Sequence, residues 1–271
     1  MLDEPGDIAL LFDRLAPTAP LAVSGLVKVE GTAPYQTVRP GPALVRALLG
    51  RDAELAPPPG ATLSDRRGDW GALILPGPAL RQLRDFAAWV RRAEMIETEW
   101  GGGRAHGPLA LFSGSSGTGK TFAAAVIAQD LASSTGEPWA LYTLDLGRIM
   151  SKYVGETEAN LNALLDALDG RRAILQIDEA DGLLGKRGEV SDARDRYANL
   201  EVSHLLSRFE RHAGPVILTT NLRSNVDTAF LRRFQLVIDF PAPDRAARAR
   251  LWDVLLPPKA PRAADLDLAA L

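Results

Sequence analysis

Eight consecutive residues, Gly114-Ser115-Ser116-Gly117-Thr118-Gly119-Lys120-Thr121, constrain this chain more than any other stretch. They match G-x-x-x-x-G-K-[ST] at every fixed position. They also sit between an apolar run at 109–112, read as a buried strand, and a helix-forming run over 121–132. Glycines let the backbone curl so that successive N–H groups point at one anion, and the following helix adds the positive end of its dipole. On this reading Gly114, Ser116, Gly117, Thr118 and Gly119 cradle a polyphosphate. Lys120 reaches its β- and γ-phosphates, and the Thr121 hydroxyl holds Mg²⁺.

The residues around this loop alternate in period. Leu80, Leu83, Ala87 and Val90 recur at helical spacing and predict a helix over 78–98, ended by Gly101-Gly102-Gly103. Apolar strands are expected at 140–144, 173–177, 216–219 and 236–240. Between them lie helical faces, Leu161, Leu164, Leu165 and Leu168 in one and Val202, Leu205, Leu206 and Phe209 in the next. Short apolar strands alternating with amphipathic helices predict a parallel sheet covered on both faces. Residues 1–69 show no such pattern. They carry scattered prolines and the linker-like run Pro57-Pro58-Pro59-Gly60. Trp70, Trp89 and Trp100, in and beside the first helix, read as packing residues.

Three further segments carry chemistry. In Ile174-Leu175-Gln176-Ile177-Asp178-Glu179 a strand delivers two adjacent carboxylates at its C-terminal end, where open α/β sheets bind ligands. Asp178 suits the metal, and Glu179 suits a base that orients and deprotonates water. Val216-Ile217-Leu218-Thr219-Thr220-Asn221 ends a strand on an amide that can bond the γ-phosphate or the attacking water. A plain turn signal reads the same way. Asp227-Thr228-Ala229-Phe230-Leu231-Arg232-Arg233-Phe234 closes a short helix on two arginines, which are either surface partners or a finger for a neighbouring subunit's nucleotide.

In this order the four segments resemble the AAA family of ATPases. Residues 114–121 look like its Walker A motif, 174–179 like its Walker B, Asn221 like its sensor asparagine and 227–234 like its second region of homology. That region usually holds Pro-Gly between two arginines and is two residues shorter here; Arg233 is the favoured finger because it directly precedes Phe234. The resemblance implies a three-layer α/β P-loop NTPase core over 70–240 with a parallel five-stranded sheet. It implies an N-terminal appendage of unknown role (1–69) and a truncated helical lid (241–271). ATP and Mg²⁺ are the implied cofactors, and the implied assembly is a hexameric ring in the cytoplasm that remodels a protein substrate. Ser151-Lys152-Tyr153-Val154-Gly155-Glu156-Thr157-Glu158 resembles the first pore loop of AAA unfoldases, with Lys152, Tyr153, Val154 and Gly155 as its substrate-gripping residues. Residues 184–199 resemble the second pore loop and the helix after it. Residues 70–252 as a whole are similar to AAA ATPases encoded with phage-tail-like contractile injection systems, a likeness carried by the stretch 151–234.

Composition narrows the alternatives. The 271 residues are 46% apolar and carry a formal net charge of −3, without a basic surface or appended motif that would point to nucleic acid. A DNA-acting P-loop ATPase is therefore the weaker rival, and a nucleotide-gated scaffold with little hydrolysis is the stronger one. The absence of cysteine excludes disulfides and thiolate metal sites. His106, His204 and His212 lack zinc-binding spacing, and no run is apolar enough to span a bilayer. Only five lysines occur, and Lys120, Lys152 and Lys186 all fall in the segments above.

Overall fold

A computed structural model of the chain describes residues 13–16, 18–23, 26–31, 36–41, 44, 45, 48, 57, 58, 60–101, 107–145, 156–184, 193–221, 226–256 and 259. The chain divides into two compact units, Met1–Ala56 with Leu168–Arg171, and Pro57–Ala167 with Arg172–Leu271. The smaller unit holds a one-turn helix α1 (Pro20–Val23) and two strands, β1 (Val27–Glu30) and β2 (Thr37–Pro40). The strands pair antiparallel, with Val27 opposite Pro40 and Glu30 opposite Thr37.

The larger unit runs β3 (Ala61–Leu63), α2 (Gly77–Thr98), β4 (Leu109–Ser113), α3 (Lys120–Thr135), β5 (Ala140–Asp145), α4 (Glu156–Leu168) and β6 (Ala173–Asp178). It continues through α5 (Asp181–Leu184), α6 (Ala193–Arg211), β7 (Val216–Thr220), α7 (Thr228–Leu231), β8 (Leu236–Asp239) and α8 (Arg245–Leu255). Its sheet has the order β3-β5-β6-β7-β4-β8. Five strands are parallel, as expected. A sixth, β3, pairs antiparallel with β5, Ala61 opposite Leu144 and Leu63 opposite Tyr142. The sheet is thus mixed and takes its edge strand from before residue 70. Three residues after a proline run give no periodicity to read, and Leu63 is exposed as an edge residue can be.

Every residue of β4 and β7 is buried, which a parallel strand with helices on both faces requires. On one face Ala110, Phe112, Ile174, Ile217 and Ile238 join Leu83, Phe86 and Ala87 of α2 and Val126, Ile127 and Leu131 of α3 in one cluster. The alternate strand residues Leu109, Leu111, Leu175, Ile177 and Leu218 are equally buried, as are Leu164 of α4 and Leu206 and Phe209 of α6. Fully burying each valine, leucine, isoleucine or phenylalanine among them contributes about 1.5–3 kcal/mol. α3 can sit deep in this layer because its run Phe122-Ala123-Ala124-Ala125-Val126-Ile127-Ala128 is apolar nearly all round and mostly small.

Of the three tryptophans expected to pack, Trp70 does so, lying against the core cluster. Trp70 is half-buried and donates its indole N–H to Asp130 Oδ1 at 3.0 Å. Arg91 bonds the other carboxylate oxygen at 2.7 Å, and Arg84 lies over the indole ring at 5.4 Å. This cluster ties the segment before α2 to both helices. Trp89 and Trp100 are 43% and 69% exposed, so neither is a core residue in this chain. No helix among the described residues is long and apolar enough to cross a membrane.

Candidate nucleotide site

The parallel register sets the C-terminal strand ends side by side, with Asp145 opposite Asp178 and Ser113 opposite Thr220. After β4 the chain crosses to β5 on one side, whereas β8 lies on the other, so the glycine-rich loop leaves the sheet where the strand order reverses. Such switch points open a crevice for ligands. Here it is a cleft of about 530 Å³ lined by loop residues Ser116, Gly117, Gly119, Lys120 and Thr121 and by Asp178, Glu179 and Asn221.

Local backbone geometry explains the loop. Gly114 N–H donates to Thr220 O at 3.1 Å, and a Cβ on Gly114 would collide with the carbonyl oxygen of Phe240. Gly119 caps α3 in the left-handed region, at φ 95°. Thr118 Oγ1 donates to Ser115 O at 2.8 Å and tightens the turn. The Gly114→Ala chain is therefore expected to lose about 1–3 kcal/mol of stability, because backbone rather than a flexible side chain must move. Denaturant unfolding measures this directly; an unchanged midpoint would show that the loop can shift away from Phe240.

Lys120 is buried to 8% exposure, and its ammonium donates to Gly114 O (2.6 Å), Ser115 O (3.0 Å) and Asn221 Oδ1 (3.1 Å). Burial pushes its pKa below the usual lysine value, while the charges of Asp178 and Asp181 oppose that shift. Lys120 thus meets the sensor-like asparagine directly. Asn221 is itself fixed by Asp181, whose two carboxylate oxygens accept its backbone N–H at 3.2 Å each and one of which also accepts from Thr220 Oγ1.

A second network holds the carboxylates. Gln176 is fully buried in β6, and its Nε2 donates to Thr121 Oγ1 (3.0 Å) and Asp178 Oδ1 (2.7 Å). Thr219 Oγ1 donates to the same Asp178 oxygen at 2.8 Å and accepts from Glu179 N–H at 3.2 Å. Glu179 has φ 53°, the one positive value among the described non-glycine residues. A left-handed glutamate costs about 1–3 kcal/mol and persists only where its surroundings hold it. Its exposed side chain borders the cleft. Among the described residues no cluster of three or more metal-ligating side chains exists. One hydroxyl and one carboxylate nevertheless fit Mg²⁺, which keeps waters and takes phosphate oxygens rather than an all-protein cage.

The family model for the ATPase family associated with various cellular activities (AAA) matches residues 110–242. The chain carries an AAA-family ATPase domain. Human vacuolar protein sorting-associated protein 4A is 32% identical over 145 residues, 52% of this chain and 32% of that protein. The uncharacterized AAA family ATPase y4kL of Sinorhizobium fredii is 29% identical over 66% of this chain and 51% of its own length. Cell division protein C of Sulfolobus acidocaldarius is 31% identical over 60% and 42%. The chain thus spans about half or less of the length of these curated relatives. A chain of the solved E. coli MS115-1 HORMA:CdnC:Trip13 complex aligns with a TM-score of 0.52 at 23% identity, covering 70% of this chain and 73% of the other, a likeness of fold.

Within the AAA domain the two arginines part company. Arg233 bonds Glu210 Oε2 and Ser203 Oγ, both on α6, at 2.9 Å each. Arg232 is exposed where α7 ends. Lys152, Tyr153, Val154 and Gly155 lie outside the described residues, as do 185–192 of the second pore-loop segment. Sequence reasoning gave no role to Gln176, Thr219 or Asp181, and it missed Arg66, which lines the cleft from the segment after β3. One signal was available: Gln176 interrupts the run 173–177, which is otherwise apolar.

Proposed function

We propose that this chain binds ATP with Mg²⁺ at the C-terminal edge of its sheet, hydrolyses it within a hexameric ring of identical subunits, and uses the resulting movement to unfold or take apart a protein. The observation that best supports this reading is the meeting of Lys120 and Thr121, from the start of α3, with Asp178, Glu179 and Asn221, from the ends of β6 and β7, around one cleft. Loop amides and Lys120 bind the phosphates. Thr121 and Asp178 would hold Mg²⁺, which neutralises charge on the β- and γ-oxygens when bound. Glu179 accepts a proton from water as that water attacks the γ-phosphorus, and the bond to the β–γ bridging oxygen breaks, leaving ADP and phosphate. Asn221, held by Asp181 and touching Lys120, reports whether a γ-phosphate is present. An arginine from the adjacent subunit completes the site.

Tyr153 would grip the polypeptide in the pore. The resemblance of 70–252 to ATPases of contractile injection systems makes a cytoplasmic component of such a machine the specific proposal. Phosphate release per chain should rise as protein is concentrated, because the site is finished by a neighbour. The Tyr153→Ala chain should keep turnover within about twofold and lose remodelling of the protein that copurifies with the ATP-loaded Glu179→Gln chain. Specific activity flat across a wide dilution series would sink the ring. Unaltered remodelling by the Tyr153→Ala chain would sink the pore-loop role.

A further inference from the structure

We infer that Gln176 is a positioning residue for the metal: its buried amide donates one proton to Thr121 Oγ1 and the other to Asp178 Oδ1, fixing the hydroxyl and the carboxylate relative to each other before nucleotide arrives. The inference deepens the Mg²⁺–ATP reading of the cleft and rests on it.

Three observations carry it. First, the amide bridges two elements 55 residues apart in the chain, the start of α3 and the end of β6, at 3.0 and 2.7 Å. Second, its orientation is fixed by its partners. A carboxylate accepts only, so a reversed amide would set its carbonyl against Asp178. Third, Oε1 of Gln176 is buried without a hydrogen-bond partner among the described residues. The other buried members of β6, Ala173, Ile174, Leu175 and Ile177, are all apolar, and an aliphatic side chain here would leave no orphan oxygen. A residue kept only for packing gains nothing from the amide. A residue that must supply two N–H groups at this point needs it.

Asp178 shows the consequence. Its Oδ1 accepts from both Gln176 and Thr219, so Oδ2 is the oxygen left for the metal or its water among the described contacts. Thr121 Oγ1 takes one bond from Gln176 and keeps a second lone pair. Without Gln176, each oxygen must be oriented by the metal itself. Partners of this kind typically alter metal affinity or activity by about 10- to 100-fold.

The test compares the full chain with Gln176→Met, which keeps length and unbranched shape, and with Gln176→Leu should the first fail to fold. Fluorescent ATP is titrated in EDTA and in Mg²⁺, and turnover is followed against Mg²⁺ concentration. Affinity in EDTA should stay within about twofold, while the gain on adding Mg²⁺ should shrink about tenfold or more and half-maximal turnover should need about tenfold more Mg²⁺. In a Thr121→Ala background the same change should cost less of the Mg²⁺ gain than it does in the unaltered chain, since only the bond to Asp178 remains to be lost. Equal losses with and without Mg²⁺, or additive effects in the double variant, would overturn the inference and leave Gln176 a structural residue. A wild-type chain that binds ATP with no gain from Mg²⁺ would instead overturn the metal reading of the cleft, and this inference with it.

Discussion

The Glu179→Gln chain is expected to release phosphate about 10²- to 10⁴-fold more slowly than the unaltered chain while binding Mg²⁺–ATP within about twofold as well. The substitution keeps size and removes only the basic oxygen. Glu179 is suited to that separation because its backbone is fixed independently of its carboxylate. The N–H is held by Thr219 Oγ1, the chain turns through φ 53°, and the side chain borders the cleft. Nothing in the Lys120 network involves it, so phosphate binding should survive. Steady-state phosphate release and equilibrium nucleotide titration, run on one preparation, give both numbers. A drop in affinity matching the drop in turnover would mean that Glu179 helps hold the nucleotide rather than activate water. If the unaltered chain is already as slow as the variant, the nucleotide-gated scaffold becomes the better account.

The parts of this site that were legible in the sequence share one property: their chemistry lies in a short window. Residues 114–121 carry their own strand, turn and helix start, and Asp178-Glu179 sit at the end of one strand. The five parallel strands were equally visible, because each is an apolar run flanked by helical periodicity. The residues that hold the site together are a different matter. Thr219 meets Asp178 across 41 residues, and Asp181 meets Asn221 across 40, only because β6 and β7 pair with Ile177 opposite Leu218. Register is a property of the assembled sheet, and no local pattern encodes which threonine will face which carboxylate. β3 escaped for a related reason: three residues pair through backbone alone, so side-chain periodicity has nothing to show. Trp100 escaped because a large aromatic beside a helix is read as core by default, although it is mostly exposed here.

Arginine supply is where sequence and structure pull in different directions, and it carries the second large effect. Position before Phe234 favours Arg233 as the finger. Its guanidinium, however, is already committed to Glu210 and Ser203 of its own chain, whereas Arg232 is exposed. To reach a neighbour's phosphate, Arg233 would first have to leave a charge-assisted pair, while Arg232 loses only water. In the proposed ring, Arg232→Ala should therefore cut turnover by about 10³-fold or more with ATP binding kept, the range an arginine finger commands. Arg233→Ala should instead lower stability by about 1 kcal/mol, the upper end for a partly exposed ion pair, with a smaller effect on turnover. Mixing decides whether the arginine acts between chains. Arg232→Ala chains retain Glu179, and Glu179→Gln chains retain Arg232, so a random one-to-one mixture should build about one complete site in four from two inactive preparations. Recovered phosphate release on mixing would place Glu179 and Arg232 of one site on different subunits. If mixing restores nothing while Arg232→Ala alone is inactive, the arginine acts within its own chain. If Arg233→Ala is the inactive variant and Arg232→Ala is not, the pair with Glu210 must open during the cycle, and α6 becomes the element that gates the finger.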